Sequence, residues 1–340
     1  MKIGVLNGGG DCAGLNAVTR GILAGAAHLG VEVIGIRNGW AGLLENRTVR
    51  IDYNMFEELI GTGGTALGTS RTNPLKRKDG LQTVVNNMTL LGLDCLIAVG
   101  GDDTLGVAAE LWRNGQKIIG VPKTIDNDLA GTDYSFGFFS AVDEAMRMIE
   151  SLKTTGKSHG RVMVAEVMGR DAGWISAFAG IAAGANAVII PEFQSDPDEV
   201  VRIVRERHNE GKSSTVVVAE GVKFVSREKA ERDEFGHELI AKAQGETNAS
   251  WLARYIEEKT GLETRATVLG HTIRGTAPNS YDRVMTSLLG LKAIEAAHEG
   301  RYGIMVSIRG TKIEEVPLSE GVQKKYVDPA TWNEMKKFFM

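Results

Sequence analysis

Residues 100–128, GGDDTLGVAAELWRNGQKIIGVPKTIDND, decide how the rest of the chain is read. The run just before them, 93–99 (LDCLIAV), is apolar and ends on Gly100-Gly101, the pattern of a strand buried in a parallel sheet. Residues 104–113 repeat apolar side chains at helical spacing (Leu105, Ala108, Ala109, Trp112), and Asn114-Gly115 stops that helix as a C-terminal cap. A second strand is expected over 117–121, ended by Pro122. Two loops thus leave the carboxyl ends of successive strands, where open α/β sheets bind their ligands. Asp102 and Asp103 are expected on one, and Lys123, Thr124, Asp126 and Asp128 on the other. Each loop taken singly is an ordinary turn composition. As a pair one βαβ step apart, with that many carboxylates around one lysine, they suit a divalent cation, phosphate and a general base.

The same pattern recurs toward the N-terminus. Residues 2–6 form a strand, Asn7-Gly-Gly-Gly-Asp11-Cys-Ala-Gly14 a turn, 15–29 a helix and 31–36 the next strand. Glycines between strand and helix let backbone N–H groups approach phosphate oxygens. By itself this admits a dinucleotide reading, because Gly8-x-Gly10-x-x-Ala13 fits that fingerprint and Arg37 could hold an NADP 2′-phosphate. Asp11 argues against it, since a carboxylate in the anion loop repels pyrophosphate unless a metal intervenes. Further strands are expected at 161–167, 187–191, 214–219 and 302–308, with helices at 138–153, 196–209, 246–259 and 282–299.

With 340 residues, 43% hydrophobic and 24% charged, the chain can bury one large α/β domain or two smaller ones. A net charge of −4 argues against a nucleic-acid partner. The opening KIGVL is too short for a signal peptide, no long apolar run follows, and no membrane partner is expected; the expected compartment is the cytoplasm. Cys12 and Cys95 read as buried thiols rather than a disulfide. The charged stretch 223–237 reads as a surface excursion, and the lysine-containing C-terminal tail carries no assigned role.

GGDDT followed by PKTIDND resembles the signature of phosphofructokinases, which in ATP-using members reads GGDG[ST] and PGTIDND. The likeness continues through GGDCAGLNAVTRG (9–21), with Ala13 for the usual proline, and through GTGGTALGTSR (61–71), SHGRVMVAEVMGRDAG (158–173), STVVVAEG (214–221) and ETRATVLGHTIRG (263–275) with Tyr281-Asp282-Arg283. It implies the phosphofructokinase fold, α/β, with two Rossmann-like three-layer αβα domains and mostly parallel sheets. The division expected is a phosphoryl-donor domain, 1–138 with part of 300–340, and a fructose 6-phosphate domain, 139–300.

The resemblance also implies roles. Asp126 becomes the base that takes the proton of the sugar C1 hydroxyl, Thr124 orients that region, and Asp102 holds Mg²⁺ between donor phosphates. Asp128 steadies the loop. Gly10 and Arg71 contact the donor. Thr124, Ile125, Asp126, Met168, Gly169, Arg170 and Glu220 contact fructose 6-phosphate, Arg170 counting among the catalytic groups. His271 and Arg274 bind its 6-phosphate. Arg161 and Arg265 reach the site of a neighbouring subunit, so a homodimer or homotetramer is implied. Arg20 matches one basic effector-site position of regulated bacterial members, but its partners are largely missing, Ala24 and Tyr53 standing where arginines are usual. Little response to ADP or phosphoenolpyruvate is expected.

The donor is where the chain departs from the ATP-using pattern. Asp103 replaces a glycine that leaves room for the nucleotide α-phosphate, and at about 4 Å with an effective dielectric near 20 like charges cost roughly 4 kcal/mol. Lys123, also in place of glycine, can pair with a shorter donor. That combination resembles the pyrophosphate-dependent branch, so pyrophosphate is the expected donor and fructose 6-phosphate the acceptor, in a reversible reaction. The alternatives are an ATP-dependent or dual-donor relative and, more remotely, an NADP-binding oxidoreductase or nucleotide sensor.

Overall fold

In the computed structural model, which describes residues 1–224 and 246–339, the chain forms two compact units. The first joins Met1–Ser140 to Arg274–Lys325; the second joins Ala141–Ile273 to Tyr326–Met340. The strands in chain order are β1 (Lys2–Asn7), β2 (Glu32–Ile36), β3 (Thr48–Arg50), β4 (Cys95–Gly100), β5 (Ile118–Pro122), β6 (Val162–Val167), β7 (Ala187–Ile189), β8 (Ser214–Ala219), β9 (Thr264–Val268), β10 (Ile304–Arg309) and β11 (Lys312–Pro317).

The first unit is built on the sheet β11-β10-β5-β4-β1-β2-β3. Its five inner strands run parallel, and an antiparallel strand closes each edge, β3 on β2 and β11 on β10. Strand β4 is buried along its whole length, as a parallel strand covered on both faces must be. The second unit carries the parallel sheet β7-β8-β6-β9. Both are α/β units with mostly parallel sheets, as the pattern of the sequence required.

Local boundaries moved where tertiary context outweighed the local signal. The helix after β4 begins at Asp102, two residues before the expected 104, and so takes both aspartates into its first turn. Carboxylates are favoured there by the positive end of the helix dipole. Pro122 is the last residue of β5, in register with Gly100, instead of the breaker beyond it. The 138–153 helix continues to His159. The charged excursion expected over 223–237 lies outside the described residues from position 225 onward.

The chain re-enters the first unit at Arg274, well before residue 300, and the reason is a helix pair. Helix Ser280–His298 packs on helix Leu15–Leu29 through glycine. A Cβ at Gly21 would stand 2.2 Å from the carbonyl oxygen of Ser287, and one at Gly290 would stand 2.2 Å from that of Val18. Backbone thus lies directly against backbone. Gly21→Val is expected to push the helices apart and destabilise the protein by about 2–4 kcal/mol. Thermal unfolding followed by circular dichroism should show the midpoint several degrees lower; an unchanged midpoint would mean the helices do not approach this closely.

The tail after Lys325 belongs to the second unit. The ring of Trp332 stacks on Phe193 with centroids 6.1 Å apart, and Glu192 Oε1 accepts a hydrogen bond from Val327 N at 3.0 Å. Burial holds the Glu192 carboxyl above its usual range despite that bond and those from Gly173 N. Cys12 and Cys95 are both buried free thiols, pushed up to about 12 by burial. Among the described residues no helix is long and apolar enough to cross a membrane.

Candidate active site

The crossover from β1 to β2 runs toward one edge of the first sheet, and that from β4 to β5 toward the other. The loops leaving β1 and β4 therefore flank the switch point where open α/β sheets place ligands. Two glycines let these loops close on one another. A Cβ at Gly8 would lie 2.4 Å from Thr104 Oγ1, and one at Gly100 would lie 2.3 Å from Thr104 Cβ. The loop 61–71 joins them: Gly9 N donates to Ser70 O at 2.9 Å and Thr69 Oγ1 to Gly9 O at 2.7 Å. Arg71 follows directly.

Lys123 leaves β5 and turns its ammonium into the glycine loop, where it donates to the carbonyl oxygen of Gly10. It is only 3% exposed. Arg274 reaches the same place, with Nη1 donating to Asp11 O at 3.3 Å and standing 2.7 Å from where a Gly10 Cβ would be. Among the described residues its buried Nε has no hydrogen-bond partner. Two buried cations thus meet a loop of backbone groups, an arrangement built to receive a multivalent anion. Arg274, expected with His271 on the sugar 6-phosphate, lies against the glycine loop after β1. Asp103 is exposed in the first helical turn, its Oδ1 accepting from Asn73 Nδ2 at 3.4 Å.

The loop after β5 is held rigidly. Asp126 is 4% exposed, and its N–H donates to Thr124 Oγ1 at 3.1 Å. Asn127 adopts φ 51°, with Oδ1 accepting from Ser135 N and Lys325 Nζ, both at 3.1 Å. Ser135 Oγ donates to Thr124 O at 2.7 Å, and Ile125 is buried beneath. A buried Asp282 fixes the far end of this stretch by accepting from Gly137 N, Ser140 N and Ser140 Oγ.

Lys324 supplies a cation that no sequence motif marked. Its Nζ stands 2.7 Å from Asp102 Oδ2 and 2.5 Å from Asp128 Oδ2. Burial and the nearby Asp126 and Asp102 push the Asp128 carboxyl up, opposed by Lys324. Burial works against the Lys324 charge, but Asp128 and Asp102 outweigh it and raise its ammonium above the usual range. Its neighbour Lys325 is pulled down to about 8 by burial, while donating to Thr132 O and Asp133 O at 2.9 and 2.7 Å. Among the described residues no three His, Cys, Asp or Glu side chains stand close enough to hold a metal by themselves. A hard cation bound through Asp102 would complete its shell from a phosphorylated ligand and water, as Mg²⁺ ordinarily does. Two carboxylates already converging on one ammonium fit such a charge.

In the second unit, β6 ends on Val167, and Met168, Gly169 and Arg170 follow, the last two with φ 152° and 52°. The left-handed Arg170 is held by Glu220 from the end of β8, whose Oε1 accepts from Arg170 N at 2.9 Å and Gly169 N at 3.2 Å. Glu220 therefore pins this loop, a role beyond the sugar contact implied for it. Arg161 Nε lies 2.7 Å from Glu263 Oε2, and Arg265 also bonds Glu263, so both arginines share one carboxylate beside the edge strand β9. Hydrogen bonding to Arg161 holds the Glu263 carboxyl below its usual range. His271 is exposed in the turn Gly270–Ile273. Arg20 donates to the Tyr53 hydroxyl at 2.6 Å and lies over its ring.

The family model for phosphofructokinase matches residues 2–297. The chain belongs to the phosphofructokinase family. It is 46% identical to the pyrophosphate--fructose 6-phosphate 1-phosphotransferase of Streptomyces coelicolor, over all of both chains. It is also 45% identical to ATP-dependent 6-phosphofructokinase 3 of the same organism, covering 95% of each. Among solved structures, Pichia pastoris phosphofructokinase in the T-state matches with a TM-score of 0.82 and 30% identity, over 94% of this chain. The match spans 35% of that longer polypeptide.

Three groups of this phosphofructokinase were not found from its sequence: Lys324, Lys325 and the clamp of Asp282. A charge surplus was the available signal. Asp102, Asp103, Asp126 and Asp128 outnumber Lys123, and two adjacent lysine pairs follow them, at 324–325 and 336–337.

Proposed function

We propose that this phosphofructokinase transfers a phosphoryl group from pyrophosphate to the C1 hydroxyl of fructose 6-phosphate, giving fructose 1,6-bisphosphate and phosphate. The observation that carries the donor assignment is Lys123. Its ammonium replaces a glycine of the ATP-using signature and lies buried on the Gly10 carbonyl, where it would grip a short inorganic donor. Asp103 at the helix start adds bulk and negative charge where a nucleotide phosphate would need room.

Asp126 is the base, aimed by a loop that Thr124 and Asn127 hold in one conformation. Lys123, Arg71 and the glycine-loop N–H groups neutralise the donor. Asp102 would hold Mg²⁺, which when bound supplies charge neutralisation across the donor phosphates. Met168, Gly169, Arg170, Glu220 and His271 are assigned to the acceptor. Arg274 is assigned, with His271, to the 6-phosphate of the acceptor. Arg161 and Arg265, gathered on Glu263, are assigned to the acceptor site of a neighbouring protomer in a cytoplasmic homodimer or homotetramer.

A second reading, ATP-dependent transfer, is favoured by the ATP-dependent relative at 45% identity. Assaying the purified protein with each donor in a coupled fructose 1,6-bisphosphate assay separates the two. Pyrophosphate is expected to exceed ATP in kcat/KM by at least about 10²-fold, a margin the roughly 4 kcal/mol of Asp103 repulsion can supply. Turnover with ATP and none with pyrophosphate would overturn the assignment.

A further inference from the structure

Segment 323–325 pairs with the acidic loop as a short strap. Ala130 N donates to Gln323 O at 2.9 Å, Lys325 N to Asp128 O at 2.8 Å, and Leu129 and Lys324 form an antiparallel bridge. The strap fixes the Lys324 backbone, and its ammonium then falls between Asp102 and Asp128. Asp102 opens the helix after β4, Asp128 closes the loop after β5, and Lys324 arrives from beyond β11. Three distant segments therefore meet on a single positive charge, and phosphoryl transfer as derived above makes no use of it.

We propose that Lys324 is an internal counter-ion that occupies Asp102 until the donor arrives, so that metal enters with the donor and not before it. An ammonium and a divalent cation compete for the same carboxylate oxygen. In the donor-free protein the ammonium is already there, supplied by the fold at high effective concentration. A metal–pyrophosphate complex changes the balance, because its phosphate oxygens offer Lys324 a replacement for Asp102 while Asp128 keeps its contact. Lys324 is thus a positioning residue that sets the order of binding. The inference rests on the assignment of metal to Asp102.

The test is Mn²⁺ binding at equilibrium, read by electron paramagnetic resonance on donor-free protein. Lys324→Met is expected to bind Mn²⁺ at least about tenfold more tightly than the wild type, since removing one positive charge from a site acts directly on cation affinity. Asp102→Asn combined with Lys324→Met should abolish the gain, and Lys324→Arg should not show it. With pyrophosphate present the difference between Lys324→Met and wild type should shrink. A merely structural strap would lower thermal stability and leave Mn²⁺ affinity where it was. A folded Lys324→Met protein with wild-type affinity would overturn the proposal. Should that variant fail to fold, the wild type decides: micromolar Mn²⁺ binding without donor, lost in Asp102→Asn, would overturn it equally. Asp102→Asn with undiminished Mn²⁺ affinity in the presence of pyrophosphate would remove the metal from Asp102 and overturn the underlying reading as well.

Discussion

Replacing Asp126 by Asn is expected to lower kcat with pyrophosphate by about 10³- to 10⁴-fold, the usual worth of a positioned general base. KM for fructose 6-phosphate should change by less than about threefold, because only an interaction made in the transition state is removed. The structure makes this a clean substitution. Asp126 is buried in a loop whose shape is set by its neighbours: Thr124 Oγ1 on its own N–H, Ser135 on Thr124 and Asn127, and Lys325 on Asn127. An isosteric amide leaves that frame intact, so a lost rate reports lost proton transfer. Steady-state kinetics in both reaction directions check it, and the reverse direction should fall equally. Retention of more than about a tenth of kcat would remove Asp126 from the role of base.

The second large effect concerns the donor. Asp103→Gly combined with Lys123→Gly is expected to cost at least about 10³-fold in kcat/KM for pyrophosphate, the loss typical of removing a charged group that stabilises transferring phosphate. The two positions do not contribute alike. Asp103 is exposed on a helical turn, where its loss removes one exposed hydrogen bond from Asn73 and costs little stability. Lys123 is buried against Gly10, and shortening it to glycine leaves a cavity and an unsatisfied carbonyl, costing about 2–4 kcal/mol of stability. Lys123→Met fills the space without the charge and isolates the electrostatic part. In that variant the loss of thermal stability should be smaller than in Lys123→Gly, the unsatisfied Gly10 carbonyl remaining, while pyrophosphate turnover collapses. Asp103→Gly alone should raise kcat/KM for ATP, since it removes bulk and repulsion and leaves Lys123 in place. If pyrophosphate kinetics of the double variant match wild type, donor choice resides elsewhere.

The contrast between these positions shows how far local pattern reaches. Asp126, Asp128 and Lys123 were legible because each follows a strand whose apolar run and terminal glycine or proline announce it. Asp102 and Asp103 were found as residues yet misplaced as a loop, because a helix N-terminus recruits acidic side chains that would suit a turn equally well. Glu220 was read as a contact for sugar hydroxyls. Its hydrogen bonds to Gly169 and Arg170 join residues some fifty positions apart, and no periodicity encodes them. The antiparallel strands β3 and β11 escaped notice for a related reason: short, half-exposed edge strands carry little apolar signal.

The order of strands, helices and glycine turns, the α/β class and most of the chemical groups at the carboxyl ends of the strands followed from the sequence by itself. Burying a parallel strand demands a continuous apolar run, and turning it toward phosphate demands glycine, so both leave marks within a few residues. Tertiary structure alone decided which distant charges meet. It brought Arg274 to the Gly10 loop and Lys324 to Asp102 and Asp128, and it carried the chain back to the first unit at Arg274 through glycines 21 and 290. Those outcomes depend on close approach between segments hundreds of residues apart, and the free energy of such contacts is a property of the packed pair, written in neither segment separately.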